Sequence, residues 1–247
     1  MIQLSVNVNK VATLRNARGG DTPSVLEAID ACLTAGARGI TVHPRADERH
    51  ITRADVSAIA AHLAPVRDQV EFNIEGDPRA DFVELVVAAR PHQCTLVPVV
   101  PGEITSQAGW SAETSPERLT AVVARLRAEG IRVSLFVEAA EAPIRWAKRL
   151  GADRVELYTE PFARAFAKGP DAARASVAMY AAAAELAHVL GMGVNAGHDL
   201  DLRNLVVFRE VPYLDEVSIG HALISHALYV GLAAAVRDYL AAVEVAG

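Results

Sequence analysis

The chain has 247 residues, is 51% hydrophobic, and carries 24 Lys and Arg against 30 Asp and Glu, a formal net charge of −6. The acidic balance argues against a general nucleic-acid binder, which shows a basic face, and an aromatic content of 5% argues against a stacking platform for single strands. No apolar run reaches the roughly 18 residues of a membrane span, and "MIQLSVNVNK" lacks the basic start and apolar centre of a signal peptide. The expectation is a soluble cytoplasmic protein with no membrane partner, and with Cys32 and Cys94 reduced in apolar settings.

Strand-like and helix-like segments alternate along the chain. "IQLSVNV" (2–8) reads as a strand, and 22–37 as a helix with Thr22 as N-cap and Pro23 at the first helical position. Strand 39–43 and helix 52–65, capped by Thr52, follow. Strand 71–75 precedes helix 78–90, and strand 93–99 leads into a long loop. Helix 115–130 has Ser115 as cap and Gly130 as stop. Then come strand 132–138, helix 142–151, strand 154–160, helix 171–191, strand 193–197, helix 202–210, strand 216–221 and a last helix 222–245. About eight strand–helix pairs in roughly 250 residues fit an α/β fold, an eight-stranded parallel (β/α)8 TIM barrel with extra helical segments in its loops. Short apolar strands suit a parallel sheet covered by helices. A doubly wound sheet is the alternative, but the first strand runs into "NVNKVATLRNARGG" without a glycine fingerprint. No composition shift marks a second domain, so residues 1–247 are expected to form one.

Chemistry in such barrels gathers at the C-terminal ends of the strands. Those ends carry Asn7, Asn9 and Lys10; His43 with Arg45, Arg49 and His50; Glu75; Glu103 and Thr105; Glu138; Glu156, Thr159 and Glu160; His198; and His221. The opposite rim reads as Gly, Ala and surface charge in "AGARG", "AEGIR" and "LGADR". Glu75 lies in "FNIEG", where partial burial would raise its pKa and suit a general base; a rim Glu–Arg pair is the plainer alternative. Glu156 alternates with Val155 and Leu157 and is expected to point into the barrel, as a site residue or a core ion pair. The equivalent pairs "NAGHDL" and "SIGHAL" suggest a phosphate site on backbone N–H groups, with Gly220 allowing close approach and Arg18 supplying charge. His62, His92 and His188 receive no role, and His226 reads as a packing residue.

The ordered segments "VNVNKVATLRNARGG", "GITVHPRADERHIT", "LVP…EIT", "VSLFVEA", "VELYT", "VNAGHDL" and "IGHALI" closely resemble the pyridoxine 5′-phosphate synthase family, from Leu4 to the final helix. The resemblance implies a barrel assembled as a homo-octamer. It implies condensation of 3-amino-1-hydroxyacetone 1-phosphate with 1-deoxy-D-xylulose 5-phosphate, releasing phosphate and water, with no metal and no cofactor. By position, Asn7 and Arg18 would hold the aminoketone phosphate, with the backbone around His198–Asp199 and Gly220–His221. His43 and Glu75 would be general bases, His198 a general acid, and Glu156 the stabiliser of a charged intermediate. Arg45, His50 and Thr105 would bind the deoxyxylulose phosphate, and the long segments 8–21 and 99–115 would exclude water.

Two departures stand out. Asn7-Val8-Asn9-Lys10 replaces a common Asn-x-Asp-His, at positions expected to contact the deoxyxylulose phosphate, where Lys10 would act as a point charge. Asp199 replaces a glycine and adds a negative charge beside an expected phosphate. Two other readings remain open. One is a metal-dependent barrel isomerase or hydrolase using His43, Glu75, Glu156, His198 and His221, which a chelator test separates. The other is a non-catalytic phosphate-binding homologue, which tight binding without product would reveal.

Overall fold

In a strand, successive side chains face opposite sides, and here that period separates two chemistries. The computed structural model describes residues 1–99 and 108–244. Its strands are β1 (Gln3–Asn7), β2 (Gly39–Val42), β3 (Glu71–Gly76), β4 (Gln93–Leu96), β5 (Arg132–Val137), β6 (Arg154–Leu157), β7 (Gly193–Ala196) and β8 (Leu214–Ile219). All pair in parallel and in chain order, and β8 returns to β1 with Leu4 opposite Val217, closing the barrel. The helices around it are α1 (Asn9–Arg18), α2 (Val25–Thr34), α3 (Arg53–Leu63), α4 (Ala80–Ala89), α5 (Pro116–Ala128), α6 (Glu141–Arg149), α7 (Glu160–Lys168), α8 (Pro170–Val189), α9 (Leu202–Phe208), α10 (His221–Val230) and α11 (Leu232–Val243). The expected TIM barrel is present, with α1, α7 and α10 as additions to one helix per strand.

One set of alternate residues, including Leu4, Ile40, Ile74, Leu135, Val155 and Val217, is buried in a single apolar cluster shared with the helices. This layer supplies the hydrophobic stabilisation. The other set faces the barrel axis and is polar: Ser5, Thr41, Asn73, Thr95, Ser134, Asn195 and Ser218 are all buried. A run of hydrogen bonds crosses four strands there. Ser5 Oγ and Thr41 Oγ1 lie 2.7 Å apart, Asn73 Nδ2 donates to Thr41 Oγ1 at 3.4 Å, and Thr95 Oγ1 donates to Asn73 Oδ1 at 3.2 Å. Such pairing is what makes polar burial tolerable, since an unpaired buried donor or acceptor costs about 1–3 kcal/mol. The floor of the barrel is ionic rather than the plain Gly, Ala and surface charge expected from the turns alone. Arg132 pairs with Glu71 and donates to Gln93 Oε1 at 2.9 Å, and Arg154 donates to Asn195 Oδ1 at 2.9 Å.

Several boundaries differ from the sequence expectation. The second helix begins at Val25, because Ser24 is the residue whose side chain accepts from the Glu27 N–H, at 3.3 Å; Thr22 and Pro23 lie ahead of it. Residues 8–21 are not one long loop: ten of them form α1, and Arg15 and Arg18 in its last turn suit the negative end of the helix dipole. Thr52 caps α3 as expected, in a reciprocal capping box with Asp55. The last helix is two, broken at Gly231 where φ is +85°. Both cysteines are buried and free. His226 is partly buried in α10, and its Nε2 lies 2.8 Å from Asp238 Oδ2 on α11.

The two Gly-His pairs have a packing explanation. A Cβ on Gly197 would lie 2.2 Å from the carbonyl oxygen of Ser218 on β8, and one on Gly220 would lie 3.1 Å from the Asn7 side chain on β1. Glycine there lets neighbouring strands close at the barrel mouth. Gly197→Ala should therefore destabilise the fold by about 1–3 kcal/mol, and Gly220→Ala by less, since its neighbour is a side chain. Urea unfolding of the two variants measures this; a Gly197→Ala protein as stable as the parent would contradict it.

Candidate active site

The C-terminal ends of the strands bring most of the expected residues to one mouth. Asn7 ends β1, His43 follows β2, Glu75 lies in β3, Glu156 in β6, and His198 follows β7. Gly220 and His221 begin α10 after β8. His43 is 8% exposed and Glu156 5%. His43 Nδ1 stands 3.9 Å from Glu75 Oε2, and Asn7 Nδ2 faces the same oxygen at 3.5 Å. Across the mouth, Phe136, Tyr158 and His198 form an aromatic wall, with Tyr158 edge-on to His198 at 5.4 Å between ring centres.

Burial governs the protonation of this set. It pushes the Glu75 carboxyl well above its ordinary value, with Glu156 and Glu216 adding repulsion. It raises Glu156 to about 7, against the opposing pull of His198 and Thr95. Burial also lowers His43 to about 3, helped by Arg45, His50, Arg79 and Arg49. His50 falls to about 4, from burial and the charges of Arg45, Lys10 and Arg49. At neutral pH the imidazoles of His43 and His50 are therefore uncharged, and the buried carboxyls hold or share protons. Of this set Glu156 is the group poised near neutral pH, where proton-transfer chemistry is served best.

Asp199 answers one of the departures. It sits at φ +63°, a region Asp tolerates better than most residues. Its Oδ2 lies 2.9 Å from His198 Nδ1. The hydrogen bond with His198 holds the Asp199 carboxyl below its ordinary range. Asn204 Nδ2 donates to the Asp199 carbonyl at 3.0 Å and fixes the turn. The Thr159 hydroxyl donates to the His198 carbonyl, so α7 helps set the same loop.

Other expected residues are placed less centrally. Lys10 is exposed in the first turn of α1. Arg18 is exposed at the far end of that helix, about 13 Å of helical rise from Asn9, and is not brought to the cluster. Arg45 is half-buried and, with Pro44, Arg53 and Arg79, lines a cavity of about 270 Å³. Thr105 and Glu103 lie outside the described residues. The sequence reading passed over Arg15 and Asn16 in "TLRNARGG". Arg15 grips Asp55 at 2.6 and 2.8 Å, and Asn16 Nδ2 donates to the His50 carbonyl at 2.8 Å, so α1 anchors the loop that carries His50. Among the described residues, no three His, Cys, Asp or Glu side chains converge as a metal-holding group.

A closed parallel barrel with its titratable residues gathered at the C-terminal mouth is the architecture of a β/α-barrel enzyme. Solved structures share the fold: thiamine phosphate pyrophosphorylase from Pyrococcus furiosus has a TM-score of 0.63 at 13% identity, covering 98% of this chain and 95% of that one. A 3-hexulose-6-phosphate synthase structure has a TM-score of 0.62 at 15% identity, covering 98% and 100%. The family model described as pyridoxal phosphate biosynthesis protein PdxJ matches residues 4–245, and the chain belongs to that family. Among its relatives, the pyridoxine 5′-phosphate synthase of Bacteroides thetaiotaomicron is 53% identical over 240 residues, 97% of this chain and 98% of the relative. That of Christiangramia forsetii is 54% identical over 241 residues, with the same coverage.

The raised carboxyl of Glu156 has a stability consequence. Between its ordinary 4.5 and about 7, the folded protein holds a proton that the unfolded chain has released. Stability contributed by the neutral form is thus lost as pH rises through that window. Relative to the parent, Glu156→Gln should gain on the order of 3 kcal/mol between pH 4 and pH 8. Denaturant unfolding of both proteins across that range checks it; a pH-independent difference would contradict the assignment.

Proposed function

We propose that this chain closes the pyridine ring of pyridoxine 5′-phosphate from 3-amino-1-hydroxyacetone 1-phosphate and 1-deoxy-D-xylulose 5-phosphate, releasing phosphate and water. The observation that carries the reading is the buried His43–Glu75 pair near Glu156, whose surroundings keep the imidazole neutral, hold the Glu75 carboxyl well above its ordinary value and bring Glu156 to about 7. Joining an amine to a ketone, dehydrating, expelling phosphate and aromatising are all proton transfers. Such a sequence needs both proton donors and proton acceptors at one mouth, which protonated carboxyls and neutral imidazoles supply.

In this reading, neutral His43 is a base from the start. Glu75 acts as a base once it has passed on its proton, and His198 is the acid on the opposite wall. Glu156 stabilises a cationic intermediate by losing its proton as positive charge develops beside it. Asn7 and the backbone at His198–Asp199 and Gly220–His221 hold the aminoketone phosphate, without Arg18, which stands exposed at the far end of α1. Arg45, His50 and Thr105, with Lys10, receive the deoxyxylulose phosphate. Two anion sites would bring the reactive ends of the substrates face to face, which turns a bimolecular encounter into an internal reaction. Asp199 is compatible with a nearby phosphate in this reading because its carboxylate is engaged by His198.

The test is product formation from the two phosphates, with and without EDTA, followed by absorbance and mass. Product is expected in both arms. Glu75→Gln should lower turnover by about 10²–10⁴-fold while binding of the aminoketone phosphate, measured by calorimetry, is kept. Turnover lost to EDTA and restored by a divalent metal would favour the metal-dependent reading. Tight phosphate binding by a folded protein without product would favour a non-catalytic homologue.

A further inference from the structure

Asn9 sits where β1 passes into α1, and the resemblance assigns it to a substrate phosphate. Its side chain is turned elsewhere. Asn9 Oδ1 accepts from the backbone N–H of His43 at 2.9 Å. Its own backbone N–H donates to Asn7 Oδ1 at 3.1 Å. That bond settles which way the Asn7 amide faces. With Oδ1 engaged, Nδ2 is left to face Glu75 Oε2 at 3.5 Å. The same Glu75 oxygen is the one 3.9 Å from His43 Nδ1. The four residues close a circuit: His43 to Asn9, Asn9 to Asn7, Asn7 to Glu75, and Glu75 back to His43.

The circuit is braced from outside. Gly220 stands beside Asn7, where a Cβ would lie 3.1–3.2 Å from the Asn7 side chain, so any larger residue would crowd the amide. Val8 N–H donates to the Thr41 carbonyl at 3.2 Å, so the turn from β1 into α1 is itself pinned to β2. Asn9 therefore spans two strands, and both ends of its contact lead to the reacting pair.

We infer that Asn9 is a positioning residue, which sets the His43 backbone with its side-chain oxygen and the Asn7–Glu75 contact with its backbone N–H, rather than a ligand of substrate phosphate. The inference rests on the proposed roles of His43 and Glu75. It makes a chemical statement about which substitutions are tolerated. The His43 N–H needs an acceptor, so an aspartate at position 9 serves as well as an asparagine, and an alanine does not. A ligand of the phosphate group itself has the opposite ranking, because an aspartate would repel the anion, and a ligand of the sugar hydroxyls would raise KM in Asn9→Ala.

The experiment compares Asn9→Ala and Asn9→Asp by steady-state kinetics and by amide hydrogen exchange at His43 in the free protein. Displacing a reacting group by an ångström costs about 10²-fold, so Asn9→Ala should lower kcat by about 10–100-fold, with KM for both phosphates within about twofold. Asn9→Asp should keep kcat within about threefold of the parent, since the acceptor that orients the pair is retained. Exchange at His43 should speed up by about tenfold or more in Asn9→Ala, where local opening has lost a partner, and stay slow in Asn9→Asp. A raised KM for the deoxyxylulose phosphate at unchanged kcat, with Asn9→Asp worse than Asn9→Ala, would overturn the inference. So would His43 exchange unchanged by Asn9→Ala. If Asn9→Ala does not fold, Asn9→Asp decides: parent-like kcat and KM support positioning, and a raised KM overturns it. If the parent makes no product, the functional reading fails on its own, and His43 exchange still decides what Asn9 does.

Discussion

Removal of ionisable groups from water inside a polar barrel is the constraint on which the rest of this structure depends. The inward residues of the strands include serine, threonine and asparagine, so the fold draws its apolar stabilisation from the layer between sheet and helices. That division leaves the barrel axis able to hold carboxyls at three levels: Glu71 and Glu216 at the floor, Glu156 within, and Glu75 at the mouth. Burial pushes Glu75, Glu156 and Glu216 upward, with carboxyl repulsion adding to it at Glu75 and Glu216, while Arg132 and its neighbour Arg154 pull Glu71 down against its own burial. One barrel thus carries a charged, salt-bridged floor and a proton-holding mouth.

The same desolvation acts in the opposite sense on the imidazoles. His43 loses its charge because it is buried and because four cationic or imidazole neighbours, Arg45, His50, Arg79 and Arg49, oppose it. A substrate phosphate arriving near these cations would partly cancel their effect and return basicity to His43 in the bound state. Contacts within the protein hold the pair: Asn7 at the end of β1 faces Glu75, Asn9 at the start of α1 accepts from the His43 N–H, and further along α1 Asn16 donates to the His50 carbonyl.

The barrel was legible in the sequence because strand and helix patterns alternate, and because caps such as Thr52 are local chemistry that the chain states outright. The helices that escaped notice had physical reasons to do so. In α1, "NKVATLRNAR", only Val11 and Ala12 are buried, so its pattern hardly differs from that of a polar loop. In α7, "EPFARAFAK" abuts α8 with Gly169 alone between them. His43, Glu75, Glu156 and His198 could be placed at the mouth because a strand's end is marked in the sequence. The polar axis could not, since the parity that sends Ser5, Asn73 and Glu216 inward is fixed only when the barrel closes. The partners of Asn9 and Asp199 were hidden for a similar reason: a side chain's direction follows from backbone geometry at a turn, which neighbouring letters do not state.

The account stands on desolvation holding His43 uncharged beside Glu75. The most direct measurement is a pH titration of the ¹⁵N-labelled histidine rings by NMR, with His43→Gln identifying the His43 resonance. The account predicts that His43 stays neutral until pH falls towards about 3, well below its ordinary 6.5. A His43 that gains its proton near 6.5 would show a solvated imidazole, and would contradict both its burial and its part as a neutral base.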